Sequence, residues 1–194
     1  MPESLSNEQY ALMRVRYYVW SGFYSSQDIE DILYKDDFRP GQIDVDWVRT
    51  CIDHEFATKL EQQLEWPEET DCDRLDEAFA ALEHLQMIAL QNAGLTQSDG
   101  MEDVSEVWHE RGGEKSRIVG YCFYHAQDLE RVIKGKVLQL TFGDIGGDDE
   151  KGVAIGNMVC DAFRRLGFTV VWNEDIKTRI QIPGIAWKRR TPEY

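Results

Sequence analysis

Between residues 118 and 182 short runs of β-branched and aromatic residues alternate with amphipathic stretches, and this rhythm constrains the fold more than any other feature. Residues 118–123, 137–142, 169–172 and 180–182 have the composition of strands, whereas 126–133 and 153–166 repeat their apolar residues at helical spacing. A β-α-β-α-β-β order calls for a sheet backed by helices. The final connection is shorter than the dozen or so residues that a parallel crossover needs, so the sheet is expected to be mixed.

Upstream the period is helical. Residues 7–20 read as a helix capped by Ser6 or Asn7, and 27–37 as a short one capped by Ser25 or Ser26 and stopped by Arg39-Pro40-Gly41-Gln42. Val48, Ile52, Phe56 and Leu60 line one face of a third helix over 45–64, which Trp66-Pro67 ends. Leu75, Phe79, Leu82 and Leu85 line a fourth, and 87–90 reads equally as its continuation or as a strand. One more helix is expected over 104–109, and 143–151 reads as a flexible loop. The fold class is therefore α+β, a mainly helical N-terminal region packed with a C-terminal mixed β-sheet backed by helices. The regions are 1–95, acidic and mainly helical, and 96–194, the sheet region; with no linker between them, they are expected to form one compact unit.

A chain with 42% apolar and 11% aromatic residues is far from the disordered range. Its net charge of −15 is lopsided: residues 1–100 hold 21 Asp/Glu against 7 Lys/Arg, and 101–194 hold 15 against 14. The first half is thus a candidate face for a basic protein partner, and a solvated, self-repelling surface explains the same numbers. Such a balance disfavours nucleic acid and anionic membranes, both of which need clustered cations. The start has no basic region followed by an apolar run, so a cytoplasmic location is expected. Cys51, Cys72, Cys122 and Cys160 stand singly and read as free thiols.

Four groups of side chains can carry chemistry. The loop 142–150 joins a strand to a helix and offers Asp144 and Asp148 as metal candidates, or is simply an exposed turn; it has neither a Walker nor a dinucleotide pattern. Tyr124, His125 and Asp128 lie where a strand meets a helix. His125 there is a candidate acid or base oriented by Asp128, with Arg179 as an anion binder, and the structural alternative is a helix N-terminus. Asp71, Asp73, Asp76 and Glu77 form an acidic cluster that suits either a docking face or the first turn of a helix. Arg189 and Arg190, beside Trp187 and Lys188, make the one basic patch, a candidate anion site or an internal complement to the acidic half. The four histidines fall on different elements and define no zinc site, and no cofactor is implied.

Asp73-Arg74-Leu75 with 78–82, Tyr124-His125-Ala126-Gln127-Asp128-Leu129-Glu130, 138–143, Gly167 with 170–172, and Arg179-Ile180 followed by 187–190 resemble an uncharacterised bacterial domain-of-unknown-function family, DUF6891. The resemblance spans roughly residues 70–190. It implies a bacterial protein and transfers no catalytic residue. On the residues themselves the leading expectation is a protein-interaction or accessory module with an acidic face, of inhibitor or immunity type or a homodimer. The alternative is a small metal-assisted hydrolase or transferase around His125 and the Asp144–Asp148 loop.

Overall fold

The Ser6 hydroxyl accepts the Gln9 backbone N–H at 3.2 Å while the Gln9 side chain accepts the Ser6 N–H at 2.9 Å. This reciprocal cap opens α1 (Asn7–Ser21) in the computed structural model, which describes residues 5–191. Gly22, at φ 80°, ends the helix in the left-handed region. The same device, Ser25 with Asp28, opens α2 (Ser26–Ile32), which widens into a π-helical turn (Leu33–Asp37). Asp44 then caps α3 (Val45–Gln63) by accepting the Trp47 N–H at 3.0 Å. Val15, Val19, Ile29, Leu33, Val48 and Ile52 form the core that these helices share.

Among the described residues two charged side chains, Glu55 and Lys59, are buried in this helical unit, and each is paired. Glu55 accepts from Arg16 Nε at 2.8 Å and from Trp20 Nε1 at 3.1 Å. The fully buried Lys59 donates its ammonium to the Val19 carbonyl at 2.9 Å. That carbonyl lies in the last turn of α1, which has no basic residue of its own, so Lys59 supplies the cation that the C-terminal end of a helix favours. Lys59→Met is expected to cost about 1.5–3 kcal/mol in urea unfolding, the range for a lost hydrogen bond from a charged donor. An unchanged midpoint would refute this role.

Asp71–Trp187 cluster as a second compact unit, while the first comprises the described residues up to Thr70 together with 188–191. The division falls after Thr70, so α4 (Asp71–His84) and β1 (Met87–Leu90) stand with the sheet. The remaining elements are α5 (Gln97–Glu110), β2 (Gly120–Phe123), α6 (Ala126–Ile133), β3 (Leu138–Asp144), α7 (Asp149–Arg165) and β4 (Ile180–Ile182). The sheet runs β1-β2-β3-β4, parallel between β1 and β2 and antiparallel in the other two pairings. It is mixed, and the fold is α+β: mainly helical N-terminal elements precede a mixed sheet with flanking helices.

Alternation along the strands sorts their side chains by face. Ile88, Leu90, Tyr121 and Phe123 meet Val104 of α5, whereas Phe142 and Gly120 face α7. Three expectations are corrected. The segment 169–172 is not a strand but a single bridge, Val171 to Gln181, because the Asn173, Asp175 and Thr178 side chains close a tight turn directly behind it. The helix over 104–109 begins at Gln97, since Thr96 and Asp99 cap each other's backbone N–H groups. The loop 143–151 shrinks to four residues. Asp144 accepts the Gly146 and Asp148 N–H groups at 2.9 and 3.1 Å, and Asp148 caps α7 through the Lys151 N–H at 3.0 Å.

Gly152 and Gly156 lie one turn apart on α7, where the segment 172–176 crosses it. A Cβ on Gly152 would stand 2.7 Å from Ile176 Cδ1, and one on Gly156 only 2.4 Å from Trp172. Glycine inside a helix costs about 1 kcal/mol relative to alanine, and the close approach offsets that cost. Gly156→Ala should therefore lower stability by about 1–2 kcal/mol despite its better propensity. A rise in melting temperature would show that Trp172 gives way freely.

Candidate ligand cleft

The ladder between β3 and β2 runs to Asp144, but the ladder between β3 and β4 stops at Leu140 opposite Ile180. From Thr141 onward the β4 side of β3 is therefore uncovered by a strand, and the chain before Ile180 peels away. A cleft of about 350 Å³ opens there. It is lined by the end of β3, the 147–149 turn with Gly152 of α7, the segment 176–179, and Gln97 and Tyr121. This volume lies within the range of small-molecule sites.

Two buried polar atoms at the cleft residues have no hydrogen-bond partner among the described residues. One is the Thr141 hydroxyl, on a residue only 6% exposed, and the other is Arg179 Nε. The Tyr121 phenol lies over Gly143, where a Cβ would stand 2.6 Å from its oxygen. Burial, reinforced by the Asp144 charge, raises the Tyr121 pKa and keeps the phenol a donor.

Arg179 joins the cleft to a buried polar network behind it. Its Nη1 donates to Asp128 Oδ1 at 3.0 Å and to Gln139 Oε1 at 3.1 Å, and its Nη2 donates to Asp128 Oδ2 and, at 2.8 Å, to the Gln139 carbonyl. Asp128, in the first turn of α6, is 2% exposed at its side chain and also pairs with His125 Nε2 at 3.0 Å. Burial holds the His125 imidazole below its ordinary pKa; the Asp128 charge opposes this and the Arg179 charge adds to it. The ring is thus neutral at neutral pH and donates its Nε2–H to the carboxylate. Sequence reasoning selected His125, Asp128 and Arg179, and the fold brings these three together. Only Arg179 of the three lines the cleft.

Residues 5–191 match the family described as Domain of unknown function (DUF6891). The chain belongs to this family. The match extends the resemblance back over the first helices, and no curated protein or solved structure matches the chain.

Of the other candidate residues of this DUF6891 chain, Asp144 and Asp148 line the cleft and the rest lie elsewhere. The fully buried Tyr124 donates to Gln91 at 3.0 Å and packs edge-on against Phe79 and Trp187. Arg189 lies over the Phe23 ring at 4.5 Å, and Arg190 donates to the Pro67 carbonyl at 2.5 Å, both within the helical unit. Asp71 pairs with Arg74 at 2.5 Å and accepts the Ala186 N–H at 2.8 Å, and Asp76 accepts from Gln91 at 2.7 Å. Asp73 lies partly buried in the first turn of α4, and Glu77 is exposed. Asp144 and Asp148 carry the loop bonds already described. Among the described residues no group of three or more His, Cys, Asp or Glu side chains is arranged to hold a metal ion.

The charge contrast between halves dissolves when the DUF6891 chain is divided as it folds. Segments 1–70 and 188–194 hold 16 Asp/Glu against 9 Lys/Arg, and 71–187 hold 20 against 12, nets of −7 and −8. All four cysteines are free, and no described helix is long and apolar enough to cross a membrane.

Proposed function

We propose that this protein binds a small polar molecule in the cleft beside β3. One observation carries the reading: the Thr141 hydroxyl is buried without a partner in a residue that lines an otherwise polar opening. Leaving a buried hydroxyl unpaired costs about 1–3 kcal/mol, and a ligand acceptor or donor reaching it would recover that cost. Arg179, locked by Asp128 and Gln139, gives the cleft a rigid wall, which keeps the cost of ordering low on binding. The catalytic alternative would need His125 in the cleft, whereas its imidazole is buried behind Arg179. The test is a small-molecule fragment screen read by amide chemical shifts. Hits that move the Thr141, Gly143, Gly147, Gly152 and Thr178 amides support the cleft; hits confined elsewhere, or none, would sink it.

A second reading, docking of a basic protein on an acidic face, rests on the end of α3. Leu60 and Leu64 share one side there at 50% and 84% exposure, with Glu61 and Glu65 beside them. A basic partner retained at about 50 mM salt, released at about 500 mM and lost with Leu64→Ser would support it. Retention that ignores both salt and Leu64 would not.

A further inference from the structure

Resting on the cleft reading, we propose that the ligand carries a primary ammonium group beside a hydroxyl or similar hydrogen-bonding group. The charges at the cleft decide its sign. Asp144, Asp148 and Asp149 line it, and the cations there are Lys177 and Arg179. The Arg179 charge is balanced by the buried Asp128, and its two terminal nitrogens are spent there and on Gln139, so what it offers the cleft is the single unpartnered Nε–H, a donor suited to the oxygen of a neutral polar group. Lys177 alone then faces three carboxylates, and its side chain is exposed. The positive end of α7 also points here, but Asp148, Asp149 and Glu150 occupy its cap and first turn, so that partial charge is already met. A phosphate or carboxylate would enter against net negative charge, while an ammonium is drawn in.

The carboxylates favour an ammonium over a metal ion for a geometric reason. Asp144 Oδ2 is tied to two loop N–H groups and Asp148 Oδ1 to the Lys151 N–H, so they do not converge on one point. An ammonium, with three separate donors, can use acceptors that are spread apart, as a divalent cation seeking six or more oxygens cannot. The second half of the ligand follows from the two hydroxyl-bearing residues that line the cleft. The unpartnered Thr141 hydroxyl and the Tyr121 phenol ask for a polar, uncharged group a short distance from the ammonium. Thr141 points to a ligand independently of the acidic residues.

The experiment titrates the full chain with ethanolamine and putrescine, with glycerol, with inorganic phosphate and with magnesium and calcium chloride, and follows backbone amide shifts. The two amines are expected to shift the Gly143, Gly147, Gly152 and Thr178 amides saturably, ethanolamine also moving Thr141. In the variant carrying Asp148→Asn and Asp149→Asn their dissociation constants should rise about fivefold, the upper end for one exposed ion pair and within reach of losing two. Asparagine caps a helix as well as aspartate does, so the variant keeps α7. Amine shifts that the double variant leaves unchanged would overturn the proposal. So would saturation of the same amides by glycerol, phosphate or a metal ion but by neither amine, and that result would leave the cleft itself as a binding site. If none of these probes and no fragment in the screen reaches the cleft, both readings fall.

Discussion

Asp128→Asn is expected to destabilise the sheet unit by about 3 kcal/mol, the lower end of the cost of stranding one member of a buried ion pair. The carboxylate is 2% exposed and accepts from both terminal nitrogens of Arg179 and from His125, so asparagine returns an N–H₂ toward donors that need an acceptor. Arg179 keeps 22% exposure, and water reaching it is what holds the cost to the lower end. Adding Arg179→Gln to Asp128→Asn should recover part of the loss, with a coupling of about 1–3 kcal/mol by double-mutant cycle. Additive losses would mean that the pair holds nothing jointly. His125 adds a pH signature. Folding lowers its pKa below the ordinary 6.5, so its contribution is complete above that value and is lost as pH falls through it toward the folded value. Chemical denaturation of wild-type protein should therefore show stability falling below about pH 6.5, and His125→Gln should flatten that part of the curve.

Local pattern carried the sequence reading furthest where one period dominated. The 126–133 helix was legible because its apolar residues fall on one stripe. A mixed sheet was expected from a short last connection, but 169–172 forms only a bridge, and the mixing comes from the parallel β1–β2 pairing beside two antiparallel ones. The 87–90 segment was ambiguous because a four-residue apolar run suits a helix or a strand equally; pairing with β2 decides it. The charge contrast misled because chain halves are not folding units: Asp71–Leu90 joins the sheet, and the basic residues 188–190 join the helices.

For the site, side chains could be chosen by type but not by neighbourhood. Arg179 and Asp128 are 51 positions apart, and only the β3–β4 pairing brings them together. Tyr124 was grouped with His125 as its chain neighbour, yet strand alternation sends it into the opposite layer. Thr141 was missed, although a signal existed. In the β3 sequence Leu-Gln-Leu-Thr-Phe-Gly-Asp, period two places Gln139, Thr141 and Gly143 together on one face of a strand whose other face is Leu138, Leu140 and Phe142. A polar stripe on a largely buried strand is a stronger pointer to a ligand than any of the charged clusters, because a charged cluster is content in water and a buried hydroxyl is not.

Phe163→Ala is expected to cost about 3–5 kcal/mol, as large-to-small changes in a filled core do. The Phe163 ring is fully buried on α7 and meets Phe79 edge-on at 5.8 Å and Phe168 at 5.7 Å. Phe79 in turn meets Tyr124 at 5.6 Å, so the ring closes a chain of aromatic contacts that ties α4 and α7 to the start of α6. Phe163→Leu keeps most of the volume and should cost less than about 1.5 kcal/mol, which separates packing from a general intolerance of change at this position. Urea unfolding of the two variants checks both figures, and an alanine cost below about 1 kcal/mol would mean that α4 and α7 close over the void. Thr141 lies on the other face of the sheet from this aromatic chain, so folded Phe163→Ala should leave the Thr141 and Tyr121 amide shifts where they are. A clear displacement there would mean that the cleft depends on the packing of the α4/α7 layer, and ligand affinity would then have to be measured against core variants as well as against the residues that line it.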